Sequence, residues 1–223
     1  MSSERILGEM SLRERLTFFR IDEDLLGFVK ENSGPFLDRM SSIIDEFYEH
    51  LHAYEAMRSM LGGKVNSLKQ KQLDHWRLLF TSGLSDDYLE QAYNIGRVHF
   101  RVGLGPSWYI GGYSVIVAKA MRVVGELAPE GQQENLSSAI VKLLMLDLEL
   151  AMSVFLEEHQ RAKSEELDAL ALEIRNEIEH VTSGLVDQSA NLRDAVAGMT
   201  SVVAQVNAGA STVAAASEQA SVN

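Results

Sequence analysis

Apolar residues recur every three or four positions along almost the whole chain. That spacing is the period of an amphipathic α-helix, whereas a half-buried β-strand would alternate apolar and polar residues. No convincing run of such alternation occurs, and glycine and proline interrupt the helical pattern at intervals. The pattern therefore predicts an all-α protein whose turns fall at those interruptions.

Capping residues and helix breakers set the expected limits of the individual helices. Asp22 is a candidate N-cap for a helix that begins at Glu23, and the run Asn32-Ser33-Gly34-Pro35 ends that helix. The pattern then predicts a helix from Phe36 whose apolar face continues loosely to Gly62 and Gly63. Further helices are predicted over residues 65–81, 86–100, 106 or 107 to about 127, and from about 132 onward.

The last third of the chain carries a coiled-coil pattern. Apolar positions follow one another from Leu167 to Val213 in alternating steps of three and four. Consecutive four-residue steps at Ile174 form a stutter, and Gln188 and Gly209 interrupt the apolar seam. A single helix cannot bury such a seam, so we expect a homodimer.

Composition and charge narrow the classes of function. The chain has 223 residues, 46% of them hydrophobic, which is enough to form a core, and its net charge of −12 without a basic run argues against nucleic acid. No stretch approaches the length of a membrane span, and Met1 to Phe19 does not read as a signal peptide, so we expect a cytoplasmic protein. The absence of cysteine leaves histidine and carboxylate as the available metal ligands.

The histidines are the candidate metal ligands, but no pair shows the HExxH spacing. His50 and His52 face different sides of their helix, and His159 and His180 are expected to be solvated. No Gly-x-Ser-x-Gly, Walker or GxGxxG motif occurs, and the carboxylates are scattered along helix surfaces. The sequence therefore contains no evident enzyme site.

His99 differs from the other histidines in its neighbours. Leu89, Ala92 and Gly96 recur with it on one face of the short helix. The small residues among them would leave a flat space beside the imidazole, which is the shape that a porphyrin needs. A satisfied core histidine explains the same spacing, so both interpretations stay open at this point.

Three segments of the chain resemble the sensor globins of globin-coupled sensors, of the haem-based aerotaxis transducer type. They are Arg20-Ile21-Asp22-Glu23, Phe47-Tyr48 and the run from Ile95 to Tyr113, which contains His-x-Arg-x-Gly-Leu-x-Pro-x-Trp-Tyr from His99 onward. The resemblance covers roughly residues 12 to 160. It implies a globin fold with helices A, B, E, F, G and H and a reduced D region, a haem b cofactor, and a dimer packed through G and H.

The resemblance also implies roles for individual residues. His99 would be the proximal ligand of the haem iron. Tyr48, on helix B, would donate its hydroxyl to bound dioxygen, and Phe47 would pack on the porphyrin. A core tyrosine in an amphipathic helix is the alternative for Tyr48.

Distal residues are expected on helix E. Counting back from His99 without gaps places Leu68 and Lys71 there, whereas some family members have a hydroxyl at the second position. Lys71 either points to solvent or a propionate, or the helix is rotated so that Gln72 faces the ligand. His75, one turn beyond Lys71, is an alternative second iron ligand.

Trp108 and Tyr109 follow the Gly-Pro turn at the start of helix G. They are either ordinary packing residues or the route by which movement of the haem pocket reaches the dimer interface. We count both, together with Gly96, among the candidate cofactor-binding residues.

The tail from Ser211 to Asn223 looks like the Ala/Ser/Gln-rich helices of methyl-accepting chemotaxis signalling domains, although related sensors end in diguanylate cyclase or histidine kinase modules. From Thr200 onward only Glu218 is charged, so we expect the chain to be a fragment of a longer protein. We therefore expect a sensor globin domain over 1–160 and a coiled-coil linker with the start of a signalling domain over 161–223.

The function expected from these observations is that of a haem-based gas sensor for O₂, with CO and NO as further candidate ligands, and with no catalytic residues. Its downstream partners would be chemotaxis signalling proteins. A haem-free helical dimerisation module is the main rival. An O₂-consuming enzyme such as a nitric oxide dioxygenase is a third possibility, which the lack of a reductase segment disfavours.

Overall fold

A computed structural model describes the backbone of residues 6–7 and 10–221 and the side chains of residues 10–217. Most of the described chain is helical. The elements are β1 (Ile6–Leu7), β2 (Met10–Ser11), α1 (Leu12–Phe19), α2 (Glu23–Asn32), α3 (Gly34–His52), α4 (Glu55–Leu61), a 3₁₀ turn (Gly62–Lys64), α5 (Val65–Thr81), α6 (Asp86–Arg101), α7 (Pro106–Leu127) and α8 (Gln133–Ser221). The predicted all-α class is confirmed.

A small antiparallel ladder near the N-terminus is an addition to the predicted fold. It pairs Ile6 with Ser11 and Leu7 with Met10. Strands of two residues are too short to show an alternation of apolar and polar positions, so the hydropathy pattern contained no signal for them.

The predicted caps and breakers set most of the helix limits. The carboxylate of Asp22 accepts a hydrogen bond from the backbone N–H of Leu25 at 2.9 Å, and α2 begins at the next residue after Asp22. The hydroxyl of Ser85 accepts a bond from the N–H of Tyr88 at 3.3 Å and caps α6 in the same way. Both are N-cap contacts that satisfy a backbone donor left free by the first helical turn.

The long helix expected from Phe36 towards Gly62 is broken in the structure. α3 ends at His52, Tyr54 has extended backbone angles of φ −105° and ψ 125°, and α4 begins at Glu55. Met57 on α4 is buried like the apolar face of α3, so the hydrophobic period continues across the break and conceals it. The short α4 occupies the expected reduced D region.

The core lies among α3, α5, α6, α7 and the first part of α8. α3 packs against both α5 and α7. Its buried face has the residues that the pattern predicts: Phe36, Met40, Ile43, Ile44, Phe47 and Tyr48. Burying one such side chain contributes about 1.5–3 kcal/mol, which makes this face a main source of stability. In chain order these helices correspond to B, E, F, G and H of a globin.

Contacts divide the chain into two compact units, Met1–Ala162 and Lys163–Asn223. The second unit is helical as far as it is described, and its apolar seam, including Ile174 and Ile178, is exposed. The last part of the tail that resembles a chemotaxis domain, residues 222–223 and the side chains from 218 onward, lies outside the described residues. Within the described range, none of the helices combines the length and apolar character that crossing a membrane requires.

Candidate functional site

His99 lies in the last turn of α6, immediately before a tight reversal of the chain. The N–H of Leu104 donates to the carbonyl of His99 at 3.0 Å, and the N–H of Gly103 donates to the carbonyl of Phe100 at 3.0 Å. These two bonds form a Schellman motif, whose residue after the C-cap adopts a left-handed conformation. Gly103 supplies it with φ +72°, a region that glycine enters without steric cost. Pro106 then begins α7.

The imidazole of His99 is neutral at pH 7. Burial lowers its pKa from 6.5 to about 4, while the backbone of Ile95, one turn earlier, acts in the opposite direction. No hydrogen bond of normal geometry joins Ile95 to the ring, and Nδ1 of His99 is buried without a hydrogen-bond partner. A neutral ring keeps a free nitrogen lone pair, which is the form that binds a metal ion.

The two aromatic residues at the start of α7 make different contacts. The ring of Tyr109 lies against the ring of His99, with centroids 4.7 Å apart and planes tilted by 51°. Trp108 is 39% exposed and packs edge-on against Tyr54, in the break between α3 and α4, at 5.3 Å. Only Tyr109 therefore contacts the predicted proximal ligand through its ring.

The flat space predicted beside Gly96 is absent, and this prediction is wrong. A Cβ atom at Gly96 would lie 2.3 Å from the carbonyl oxygen of Ala151 and 2.8 Å from the Cβ of Val154. The backbone of α8 therefore fills the space on that side of α6. A small residue near a histidine leaves room for a cofactor or for a crossing helix, and its position in the sequence does not distinguish the two.

Tyr48 lies on the buried face of α3 and is 6% exposed. Burial raises its pKa to about 12, so the phenol keeps its proton at neutral pH. No residue in the described part of the chain forms a hydrogen bond with its hydroxyl, whereas the Lys69 ammonium lies 5.8 Å from the centre of its ring. The hydroxyl is thus a donor available to a ligand.

Phe47, the neighbour of Tyr48, packs against α7. A Cβ atom at Gly112 would lie 3.3 Å from two carbon atoms of the Phe47 ring. The glycine therefore lets α7 approach the aromatic ring closely. The predicted contact between Phe47 and a porphyrin stays a prediction.

The candidate distal residues differ in exposure along α5. Leu68 is half-buried and packs against the core, Lys71 is exposed, and Gln72 is half-buried. The exposure of Lys71 agrees with both alternatives for the second distal residue, and the approach of Gln72 to the ligand stays a prediction.

His75 is a core residue rather than a second iron ligand, which corrects that alternative. It is 3% exposed, and its Nε2 lies 2.8 Å from Oδ1 of Asp147. Nε2 of His75 is therefore already paired with a carboxylate inside the core. Its ring also stacks on that of Tyr88, with centroids 5.3 Å apart and planes at 16°.

Asp147 on α8 is the centre of a buried polar cluster that the sequence patterns do not reveal. Besides His75, it accepts a hydrogen bond from the hydroxyl of Tyr88 at 2.9 Å and one from the hydroxyl of Tyr113 at 2.5 Å. The one available signal was a carboxylate among buried leucines, since Leu143, Leu144, Leu146 and Leu150 surround Asp147 in the sequence and are all buried.

Within the cluster, Asp147 and His75 each favour the charged form of the other. Burial alone would raise the pKa of Asp147, but the charge of His75 and the hydrogen bonds outweigh it and lower that pKa. Burial alone would lower the pKa of His75, but the charge of Asp147 and the bond between them raise it above 6.5. Opposite charges favour each other's ionised form in this way. Burial and the nearby carboxylate raise the pKa of Tyr113 well above 10, so this hydroxyl remains a donor.

The side chains present fit a haem rather than a metal ion bound by protein ligands alone. Within the described residues, no group of three or more His, Cys, Asp or Glu side chains is placed to hold a metal ion. A single neutral histidine such as His99 would therefore bind a metal whose other ligands come with it, as in a porphyrin. The neutral ring of His99 and the protonated hydroxyl of Tyr48 are compatible with that use.

Comparisons with known proteins match the same part of the chain. The family model described as Protoglobin matches residues 9–161. The "Heme-based aerotactic transducer HemAT" of Halobacterium salinarum is 24% identical over 195 residues, which are 80% of this chain and 40% of that protein. The solved "globin domain of Geobacter sulfurreducens globin-coupled sensor" has a TM-score of 0.60 and 19% identity, over 66% of this chain and 98% of that one. The structural similarity shows the globin fold, and by their names these proteins are a transducer and a sensor rather than enzymes.

Proposed function

Because the chain belongs to the Protoglobin family, we propose that it binds haem b through His99 and senses a diatomic gas, with O₂ as the ligand. The observation that carries the proposal is the state of His99, a buried imidazole that is neutral at pH 7 and lies in the last turn of α6. When bound, haem would supply an iron centre that binds the gas, and His99 would be the residue that holds the iron.

Tyr48 would provide the hydrogen bond that favours O₂. Bound O₂ carries partial negative charge, and a protonated phenol without another partner is suited to donate to it. Gln72 would be the second polar side chain of the distal side, because it is the half-buried member of the pair with Lys71. CO, which accepts hydrogen bonds poorly, would gain less from these donors.

The gas signal would pass to an output domain through a change in the population of two helix arrangements. A ligand shifts such an equilibrium only by its differential affinity for the two arrangements. The exposed apolar seam of the second unit would pair with the same seam of a second copy, so we propose a homodimer. The stutter at Ile174 would be a soft point of that stalk.

Chemotaxis signalling is the output that we propose for the full-length protein. The relative HemAT is an aerotactic transducer by name, and the chain spans 40% of that protein's length. The tail that looks like a methyl-accepting signalling helix also supports this output over a diguanylate cyclase or a histidine kinase. The cytoplasmic location stays a prediction, which fractionation of cells that express the full-length protein would test.

The visible absorption spectrum of the purified protein tests the proposal. We expect a Soret band that shifts reversibly between nitrogen and air in the reduced protein. The His99→Ala variant should lose the proximal ligand and this spectrum, whereas His180→Ala, which removes an exposed histidine from the second unit, should leave it unchanged.

A protein that shows no Soret band after haem addition would contradict the proposal and favour the haem-free dimerisation module. Light scattering after size exclusion then tests the dimer separately. A monomer at micromolar concentration would contradict the proposed pairing of the stalk.

A further inference from the structure

The buried cluster around Asp147 is connected to the proposed haem ligand through two tyrosines of α7. Tyr113 donates its hydroxyl to Oδ2 of Asp147, and its ring lies 5.2 Å from that of Tyr109 between centroids. Tyr109 in turn packs its ring on His99 at 4.7 Å. Residues four apart on a helix share one face, so Tyr109 and Tyr113 form a continuous aromatic surface on α7.

From this connection we infer that Asp147 is a positioning residue for His99, acting through Tyr113 and Tyr109. The inference rests on the proposed haem site, because it assigns a role to a side chain that does not itself contact His99. The carboxylate holds the hydroxyl end of Tyr113, Tyr113 limits the tilt of Tyr109, and Tyr109 limits the rotation of the imidazole about its own side-chain bonds.

The anchor of this chain of contacts is rigid for a physical reason. Asp147 is 1% exposed, so neither water nor a surface charge replaces a partner that it loses. Its two oxygens are occupied by His75, Tyr88 and Tyr113. Hydrogen bonds to both oxygens of a buried carboxylate favour one arrangement of that carboxylate and of the groups bonded to it.

The imidazole needs such external positioning because its own hydrogen bonds do not supply it. In many metal sites the second nitrogen of a ligating histidine donates to a carbonyl or a carboxylate, which fixes the orientation of the ring. For Nδ1 of His99 the backbone of Ile95 is such a group, but it forms no hydrogen bond of normal geometry with the ring. The tilted contact with the ring of Tyr109 is the aromatic contact that α7 makes with the His99 ring.

Two tyrosine variants form a matched pair that tests the inference. Tyr113→Phe and Tyr88→Phe each remove one buried hydroxyl from the same carboxylate, but only Tyr113 packs on the tyrosine that contacts His99. In the reduced, unliganded haem protein we expect Tyr113→Phe to shift or broaden the iron–histidine stretching band in resonance Raman spectra. Tyr88→Phe should leave the band at its wild-type position, and Asp147→Asn should change it as Tyr113→Phe does.

Two results would overturn the inference: a wild-type band in Tyr113→Phe, or equal shifts in the two tyrosine variants. A cooperative thermal unfolding transition shows that each variant is folded. If Asp147→Asn does not fold, the comparison of Tyr113→Phe with Tyr88→Phe still tests the positioning role.

A second readout does not require haem. In the haem-free chain labelled with ¹⁵N-histidine, the ring nitrogen resonances of His99 should move in Tyr113→Phe and stay in place in Tyr88→Phe. A wild-type protein that fails to bind haem would contradict the proposed function, whereas unchanged His99 resonances in Tyr113→Phe would contradict the positioning role alone.

Discussion

The ring of Tyr109 rests on the ring of His99 with centroids 4.7 Å apart, although the two residues belong to different helices. The contact follows from the turn between them. Gly103 reverses the chain directly after His99, and Pro106 starts α7, so the tyrosine returns alongside the histidine. The spacing of the motif from His99 to Tyr109 thus has a geometrical reason in this turn.

Replacing Tyr48 by phenylalanine should accelerate the release of O₂. The change deletes the only hydroxyl of that side chain and keeps its packing in the core. A hydrogen bond to a charged acceptor contributes about 1.5–3 kcal/mol, so we expect an off-rate about 10- to 100-fold higher in flash photolysis or stopped-flow experiments. Tyr54→Phe, at a partly exposed tyrosine, is the control. An off-rate equal to that of the wild type would exclude Tyr48 as the donor.

Gln72 and Lys71 should differ in their effect on the same kinetics. Gln72 is half-buried on α5, whereas Lys71 is exposed. We expect Gln72→Ala to change the O₂ off-rate by a factor of about 2–10, as the loss of a neutral hydrogen bond of about 0.5–1.5 kcal/mol would do. Lys71→Ala should leave it unchanged. The reverse order of effects would show that Lys71 faces the ligand.

Gly96→Ala should destabilise the first unit. The added methyl group would lie 2.3 Å from the carbonyl oxygen of Ala151, which is backbone and cannot rotate away. Overpacking of this kind costs about 1–3 kcal/mol, measured as the free energy of unfolding in urea. The control is Gly111→Ala, where a Cβ atom meets nothing within 4 Å, and which should be neutral or stabilising by about 0.5–1 kcal/mol. Equal stabilities of the two variants would contradict the close approach of α6 and α8.

In the haem-free protein, the contribution of His99 to the free energy of unfolding should decrease as the pH falls below 6.5. Burial lowers the folded-state pKa of His99 to about 4, so the unfolded chain binds a proton first. The stability that this group contributes is present above the unfolded pKa of 6.5 and is lost as the pH falls towards 4. Each pKa unit corresponds to about 1.4 kcal/mol, so the loss is up to about 3 kcal/mol.

Urea unfolding of the wild type and of His99→Gln between pH 7 and pH 4 measures this contribution. The variant has no group that titrates at this position. The difference between the free energies of unfolding of the two proteins should therefore narrow or change sign as the pH falls. Parallel pH profiles would mean that the ring is not buried in its neutral form.

The sequence predicted the parts of the fold that local chemistry determines. Asp22, Ser85 and Pro106 start helices at the expected positions, because caps and prolines act on their own backbone neighbours. The break at Tyr54 was missed because the apolar face continues across it. The resemblance to globin-coupled sensors is confirmed by the family match and the fold.

Features that depend on distant residues escaped prediction. Gly96 was misinterpreted because the helix that crosses it, α8, lies far along the chain. Asp147 lies 72 residues from His75, and a carboxylate on a helix gives no sign of its partner. Lys71 and Gln72 are adjacent in the sequence, which is within the uncertainty of counting from a motif, so the identity of the second distal residue stays a prediction.

The partners of Asp147 also bear on how the first unit unfolds. His75 lies on α5, Tyr88 on α6 and Tyr113 on α7, while Asp147 itself belongs to α8. Any one of these helices that detached alone would leave a charge or a hydroxyl acceptor unpaired in an apolar interior, which is costly. α5, α6, α7 and the part of α8 that belongs to the first unit therefore form one cooperative unit, and the amide hydrogens of their buried turns should exchange with solvent through the same concerted opening.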